Sequence, residues 1–180
     1  MKICILSDSH DHIPLLDAAV ESAMAEGAEA VLHCGDVVAP STLHCLDKYD
    51  LPIHVIHGNN TGDLYTLGQL ASRDENNIHY HGMDAGVQLG GRNIFLVHYP
   101  HYARAMAATG DWDLVCCGHS HKLKVEKLEN IKGSFTYLVN PGTIGGVGRS
   151  PATYIVADLD SMSFESREIS KQIERDAGYY

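Results

Sequence analysis

Short apolar runs, each closed by a cluster of polar residues, set the rhythm of the chain. Ile3, Cys4, Ile5 and Leu6 form a run apolar on both faces, as a buried parallel strand requires, and it breaks at once into Ser7, Asp8, Ser9 and His10. A helix can start at Asp11 or His12 with Pro14 in its first turn. Leu15, Leu16, Ala19, Val20, Ala23 and Met24 then recur at helical spacing, and Gly27 ends it. Residues 30–34 read as a second buried strand closed by Gly35 and Asp36, and residues 40–47 as a short helix. This strand–helix–strand–helix order predicts parallel strands joined by right-handed crossovers. A third strand over 53–56 runs into His57, Gly58, Asn59 and Asn60, before a helix over 63–71 that Gly68 weakens.

The rhythm then changes. Short strands over 78–80, 87–89 and 94–97, separated by Gly82, Gly86, Gly90 and Gly91, predict antiparallel hairpins. His98 ends the last of them, a helix over 102–109 stops at Gly110, and a strand over 114–117 runs into Gly118, His119, Ser120 and His121. Strands over 123–128, 135–139, 154–159 and 163–169 complete the pattern, with a turn at Asn140, Pro141 and Gly142. The polar residues 171–180 predict a frayed tail or weak helix. The expected fold is α/β: a four-layer α-β-β-α sandwich of two mixed sheets flanked by helices, forming one domain over residues 1–170. Its site is expected where the C-terminal ends of the strands meet.

Composition narrows the function classes. The formal net charge of -10, with no basic cluster in the sequence, argues against a surface built for duplex nucleic acid. Two bound divalent cations would nevertheless make one spot strongly positive. The five cysteines, Cys4, Cys34, Cys45, Cys116 and Cys117, lie in or beside apolar runs without a C-x-x-C pair, the pattern of free core thiols in a reducing compartment. No signal peptide and no apolar stretch near the roughly 20 residues of a membrane span are visible, so a soluble cytoplasmic protein is expected.

The 12 histidines change the picture, because several fall just past strand ends. Asp8, His10, Asp36, Asn59, His98, His119 and His121 come from five different strands. Carboxylate, amide and imidazole donors without thiolate suit Mn, Fe, Co, Ni or Zn rather than Cu(I) or an iron–sulfur cluster. His119 and His121 follow a glycine, where two rings can splay toward two ions. Taken singly, Asp8 could serve a helix N-terminus, Asp36 or Asn59 a turn, and His98 a half-buried packing position. The recurrence of ligand types at successive strand ends is what points to metal.

Asp8-Ser9-His10, Gly35-Asp36, Gly58-Asn59, the isolated His98 and Gly118-His119-Ser120-His121 resemble, in order and spacing, the signature of calcineurin-like metallophosphoesterases. The short length and the Gly58-Asn59-Asn60 form resemble the small single-domain bacterial and archaeal phosphodiesterases of the YfcE type. The resemblance covers the chain to about residue 165 and implies a β-sandwich flanked by helices. It also implies one ion on Asp8, His10 and His121, a second on Asn59, His98 and His119, and Asp36 bridging them. Manganese heads the expected metals, with nickel, iron and zinc as alternatives. Two ions about 3.5–4 Å apart can lower the pKa of a shared water and aim the resulting hydroxide at phosphorus.

Two departures from the family pattern bear on catalysis. Asn60 stands where many members carry a histidine, and an amide cannot act as a general acid. Such help is worth about 10²-fold or more, so diesters with good leaving groups are the expected substrates. His12 and His101 are the candidate substitute donors. Tyr99-Pro100 replaces the small residue and second histidine that often follow the isolated histidine. The alternative is a non-catalytic scaffold on the same fold, and such a scaffold would be free to lose ligands; a nucleic-acid-processing role fits the acidic composition poorly. A small phosphodiester is the expected partner, and Tyr65, Tyr102 and Trp112 offer a substrate wall or a homo-oligomer contact.

Overall fold

The computed structural model describes residues 1–72 and 77–170, so the expectation for the tail lies outside them. The first half of the chain builds one sheet from its centre outward. Strand β1 (Lys2–Leu6) is followed by helix α1 (Ile13–Ala25), strand β2 (Ala28–His33), a 3-10 helix (Pro40–Leu46), strand β3 (Ile53–Val55), helix α2 (Leu64–Ala71) and strand β4 (Ile78–Tyr80). Strand β5 (Asp84–Leu89), β6 (Arg92–Val97), helix α3 (Pro100–Thr109) and strands β7 (Leu114–Cys116), β8 (Leu123–Glu129) and β9 (Phe135–Pro141) follow. Strands β10 (Ala152–Asp158) and β11 (Ser163–Ile169) come last. The six-stranded sheet runs β11-β10-β1-β2-β3-β4 and the five-stranded sheet β5-β6-β7-β9-β8. Both are mixed, as expected.

Alternation along β1 shows how the layers form. Ile3 and Ile5 face the second sheet, joining Leu32, Ile94, Leu96, Leu114, Val139 and Ile155 in the core between the sheets. Cys4 and Leu6 face the other way, onto Leu15, Leu16, Ala19, Val20 and Ala23 of α1. On the far side of the molecule, Ala103 and Ala107 of α3 pack on Val97, Val115 and Leu138. Their small side chains let the helix sit close to the sheet.

One expected connection is different. β4 is not part of a hairpin: it lies parallel to β3, with His54 beside His79. The antiparallel pair is β5 with β6, running from Asp84 opposite Val97 to Leu89 opposite Arg92. Gly82, Gly90 and Gly91 marked where the chain turns, but Gly86 lies inside β5 opposite Phe95, where Trp112 leaves no room for a Cβ, and a turn signal does not say which sheet receives the next strand. Helix α3 starts two residues earlier than expected, at Pro100, whose fixed φ and missing N–H suit the first helical position. Asn140 and Pro141 end β9 rather than forming a free turn. All five cysteines are free thiols and four are buried, as their apolar surroundings implied.

Candidate metal centre

Parallel neighbours finish at the same edge of a sheet, and that places the polar clusters together. β1, β2 and β3 are mutually parallel, as are β6 and β7. Asp8 and His10 follow β1, Asp36 follows β2, Asn59 follows β3, His98 follows β6, and His119 and His121 follow β7. Backbone bonds lock these loops to one another: Asp8 N–H donates to the Gly35 carbonyl (2.9 Å), His10 N–H to that of Asp36 (3.0 Å) and Gly118 N–H to that of His98 (3.0 Å).

The seven side chains meet in two overlapping groups. In the first, His10 Nε2 and His121 Nε2 face each other at 3.4 Å, and Asp8 Oδ1 lies 3.2 Å from His121 Nε2 and 3.9 Å from His10 Nε2. In the second, Asn59 Oδ1 sits 3.1 Å from His98 Nε2 and 2.8 Å from His119 Nδ1. Asp36 reaches both, its Oδ1 3.4 Å from His98 Nε2 and its Oδ2 3.8 Å from His10 Nε2. His119 and His121 therefore do splay to different groups. Asp8, Asp36 and His98 form a buried floor, while Asn59 and His119 stand at an exposed rim.

Holding this arrangement strains the backbone. Asp8, His10, Asp36, His119 and His121 all have positive φ, between 44° and 66°, a conformation that costs a non-glycine residue about 1–3 kcal/mol. Asp is among the types that tolerate it best, and so is His. Two glycines are required for space. A Cβ on Gly58 would fall on the Asp36 carboxylate and the His98 ring, and one on Gly118 would fall on Ser7 Oγ and Asp8 Oδ2.

Electrostatics fit a cation site. Burial pushes Asp8 above the ordinary carboxylate range, and hydrogen bonding and nearby imidazoles offset this only in part. Its Oδ1 is buried and hydrogen-bonds to no described residue. Burial also works on Asp36, but hydrogen bonds from His98 and from the Asn60 side chain and backbone outweigh it and hold that carboxyl well below the usual range. Burial lowers His98, yet the Asp36 contact and the Cys34 carbonyl prevail and raise it. His98 Nδ1 donates to that carbonyl at 2.8 Å, which turns Nε2 toward the cluster. An unpartnered carboxylate oxygen among imidazole nitrogens is a donor set suited to divalent cations.

Asn60 and the two candidate proton donors, His12 and His101, are each engaged in other contacts. Asn60 donates its side-chain amide to Asp36 Oδ2 (2.6 Å) and its N–H to Asp36 Oδ1 (2.8 Å), so it braces a carboxylate. His12 caps α1, its Nδ1 accepting the Leu15 N–H at 3.3 Å. His101 is exposed on the first turn of α3, its ring 4.3 Å from that of Tyr102.

Sequence reasoning missed two supporting residues. His33 is fully buried, and burial first, then His98, depresses its pKa to about 3. Its Nδ1 accepts the Gly35 N–H, so the neutral ring donates from Nε2 to Ser9 Oγ at 3.0 Å, fixing the residue between Asp8 and His10. Asn140 Nδ2 donates to the Gly118 carbonyl (2.7 Å) and Ser120 Oγ (3.1 Å), bracing the loop that carries both histidines. His33 was hidden because it ends an apolar run; the pair His33-x-Gly35 before an acid was the available signal.

Comparison with known proteins places the chain in a family. Phosphodiesterase MJ0936 of Methanocaldococcus jannaschii is 31% identical over 174 residues, which are 94% of this chain and 98% of that protein. The solved structure of an archaeal phosphodiesterase superposes with a TM-score of 0.83 at 26% identity, covering 94% of this chain and all of the other. YfcE, a phosphoesterase from E. coli, and Vps29 of Cryptosporidium parvum share the fold. Their TM-scores are 0.63 and 0.61 at 18% and 20% identity, over 94% of this chain and 100% and 98% of theirs. The calcineurin-like phosphoesterase superfamily domain matches residues 1–162, and this chain belongs to that superfamily.

Proposed function

We propose that the protein is a dinuclear metal-dependent phosphodiesterase. Asp8, His10 and His121 hold one cation, Asn59, His98 and His119 the other, and Asp36 serves both. The observation that carries this reading is the buried Asp8 Oδ1, which lacks a hydrogen bond and lies among three imidazole nitrogens, 3.2 Å from His121 and 3.9 Å from His10 and His98. The diester specificity is supported by the similarity to the Methanocaldococcus jannaschii phosphodiesterase.

Divalent cations bound there supply Lewis acidity, acidifying water to a nucleophile and neutralising phosphoryl oxygens. The chain's own residues do the rest. His98 is aimed by the Cys34 carbonyl, Asp36 is braced by Asn60, and the His119–His121 loop is braced by Asn140. His12 is engaged as a helix cap and His101 packs on Tyr102, so neither candidate serves as the proton donor and the leaving group must be a good one by itself. Aryl and activated diesters follow as preferred substrates. Manganese is the first metal to test, and the setting we propose is a single cytoplasmic domain over residues 1–170.

A non-catalytic scaffold would be free to lose ligands, whereas all seven positions here carry competent donors. Elemental analysis after loading with Mn, Ni or Zn, joined to a screen of phosphoesters, tests the reading. Two ions per chain and faster hydrolysis of bis(p-nitrophenyl) phosphate than of alkyl monophosphates are expected. A protein that stays empty at neutral pH would end it, and faster turnover of alkyl monophosphates would end the diester preference.

A further inference from the structure

A second feature lies directly behind the His119–His121 loop. Ser120 of that loop, His101 at the start of α3, and Arg104, Lys122 and Lys124 line a cavity of about 360 Å³ whose apolar wall includes Leu138. None of the seven candidate metal ligands lines it. On a chain of net charge -10, three cations converge here from α3 and the start of β8. Arg104 and Lys124 share a single counter-charge: Glu126 Oε2 accepts from Arg104 Nη2 at 2.6 Å and lies 2.7 Å from Lys124 Nζ. One carboxylate against three cations leaves the cavity positive. The N-terminus of the ten-residue α3 faces the same space, and its cap residue Tyr99 makes no side-chain hydrogen bond to it. Pro100 has no N–H and the Ala103 N–H is bonded to the Tyr99 carbonyl at 3.0 Å, so the N–H groups of His101 and Tyr102 are those at this helix start that an oxyanion could use.

We propose that this cavity is a subsite for a phosphate-type oxyanion carried on one arm of the substrate, so that the preferred diesters bear a further anionic group beyond the scissile phosphate. The proposal rests on the phosphodiesterase reading of the neighbouring centre. The volume is at the lower end of the range for small-ligand pockets, enough for one charged arm. Arg104 presents a planar fork suited to such a group, and Lys122 and Lys124 act as mobile point charges. All three sit on the surface, so their substitution spares the core.

The test compares two diesters on manganese-loaded protein: bis(p-nitrophenyl) phosphate, and a p-nitrophenyl glycerol phosphodiester whose glycerol carries a terminal phosphate. The expected result is a fall of about tenfold or more in the ratio of kcat/KM, charged-arm over neutral substrate, in Lys122→Ala and in Arg104→Ala, expressed in KM. An unchanged ratio in both variants overturns the proposal. Equilibrium dialysis with inorganic sulfate, comparing wild type and the same variants, separates the two readings. Sulfate binding weakened by the substitutions, with no turnover of either diester, would sink both the phosphodiesterase reading and the assignment to a substrate arm, leaving a site for free oxyanions. Turnover of both diesters with variant-independent ratios would sink the subsite alone.

Discussion

Asp8→Asn should move stability and metal binding in opposite directions. The wild-type carboxylate is fully buried, and its Oδ1 makes no hydrogen bond to any described residue. Leaving a buried polar atom unsatisfied costs about 1–3 kcal/mol, and more when the group is charged. A neutral amide at the same place, 3.2 Å from His121 Nε2, removes the charge from that unpartnered position. In chelator, the variant should therefore gain about 1–3 kcal/mol, which for a chain of this size is roughly 2–12 °C in Tm. The sign with pH is fixed by the direction of the shift. A carboxyl whose folded pKa is raised by burial penalises the fold once it ionises, so the penalty is absent below the unfolded value of about 3.9 and grows as pH rises through the folded one. The gain should thus be large at pH 7.5 and shrink toward pH 4. With manganese at a hundred times its Kd, wild type should gain about 2.7 kcal/mol per site and the variant should lose the first ion's share. Thermal melts with and without chelator read both effects. A variant that melts below wild type in chelator, or that keeps the full metal-induced shift, would refute the reasoning.

Other expectations follow from the same centre. In chelator, the stability difference between wild type and His98→Gln should be greatest below about pH 6.5 and shrink as pH rises through the elevated His98 pKa, since that interaction needs the protonated ring; a difference constant from pH 6 to 9 in urea titrations would contradict it. Metal occupancy, read by elemental analysis, should decline below about pH 6 as the ligand imidazoles protonate. Gly58→Ala is tolerable in backbone terms but places a methyl on Asp36 and His98, at a cost of about 1–3 kcal/mol, and should abolish the metal-induced shift in Tm. Asn60→His restores a proton donor beside Asp36 and should raise kcat on alkyl relative to aryl diesters by about tenfold or more; an unchanged ratio would show that leaving-group protonation does not limit turnover.

The features legible in the sequence were those written locally. Apolar runs gave the strands, and ligand-type residues at their ends gave the seven converging side chains. What stayed hidden depended on distance or on backbone conformation. Nothing in the run near Ile78 says that β4 joins β3 rather than β5, because the choice rests on which sheet edge is open. Positive φ at five non-glycine ligands has no composition signal; it follows from loops forced to aim side chains inward. The cationic cavity escaped notice because Arg104 meets Lys122 and Lys124 only through the packing of α3 against the second sheet. His33 looked like any residue closing an apolar run, and only its two ring bonds reveal the work it does.

The pairing of Lys2 with Asp158 bears on how the protein is made. Among the described strands β1 is made before the others, but one of its edges is completed by β10, made after eight of them. Through most of synthesis the nascent chain thus carries an apolar strand with an open flank, the kind of edge that recruits other chains. Burial of Ile3 and Ile5 between the two sheets is therefore complete only once β10 has been made and paired.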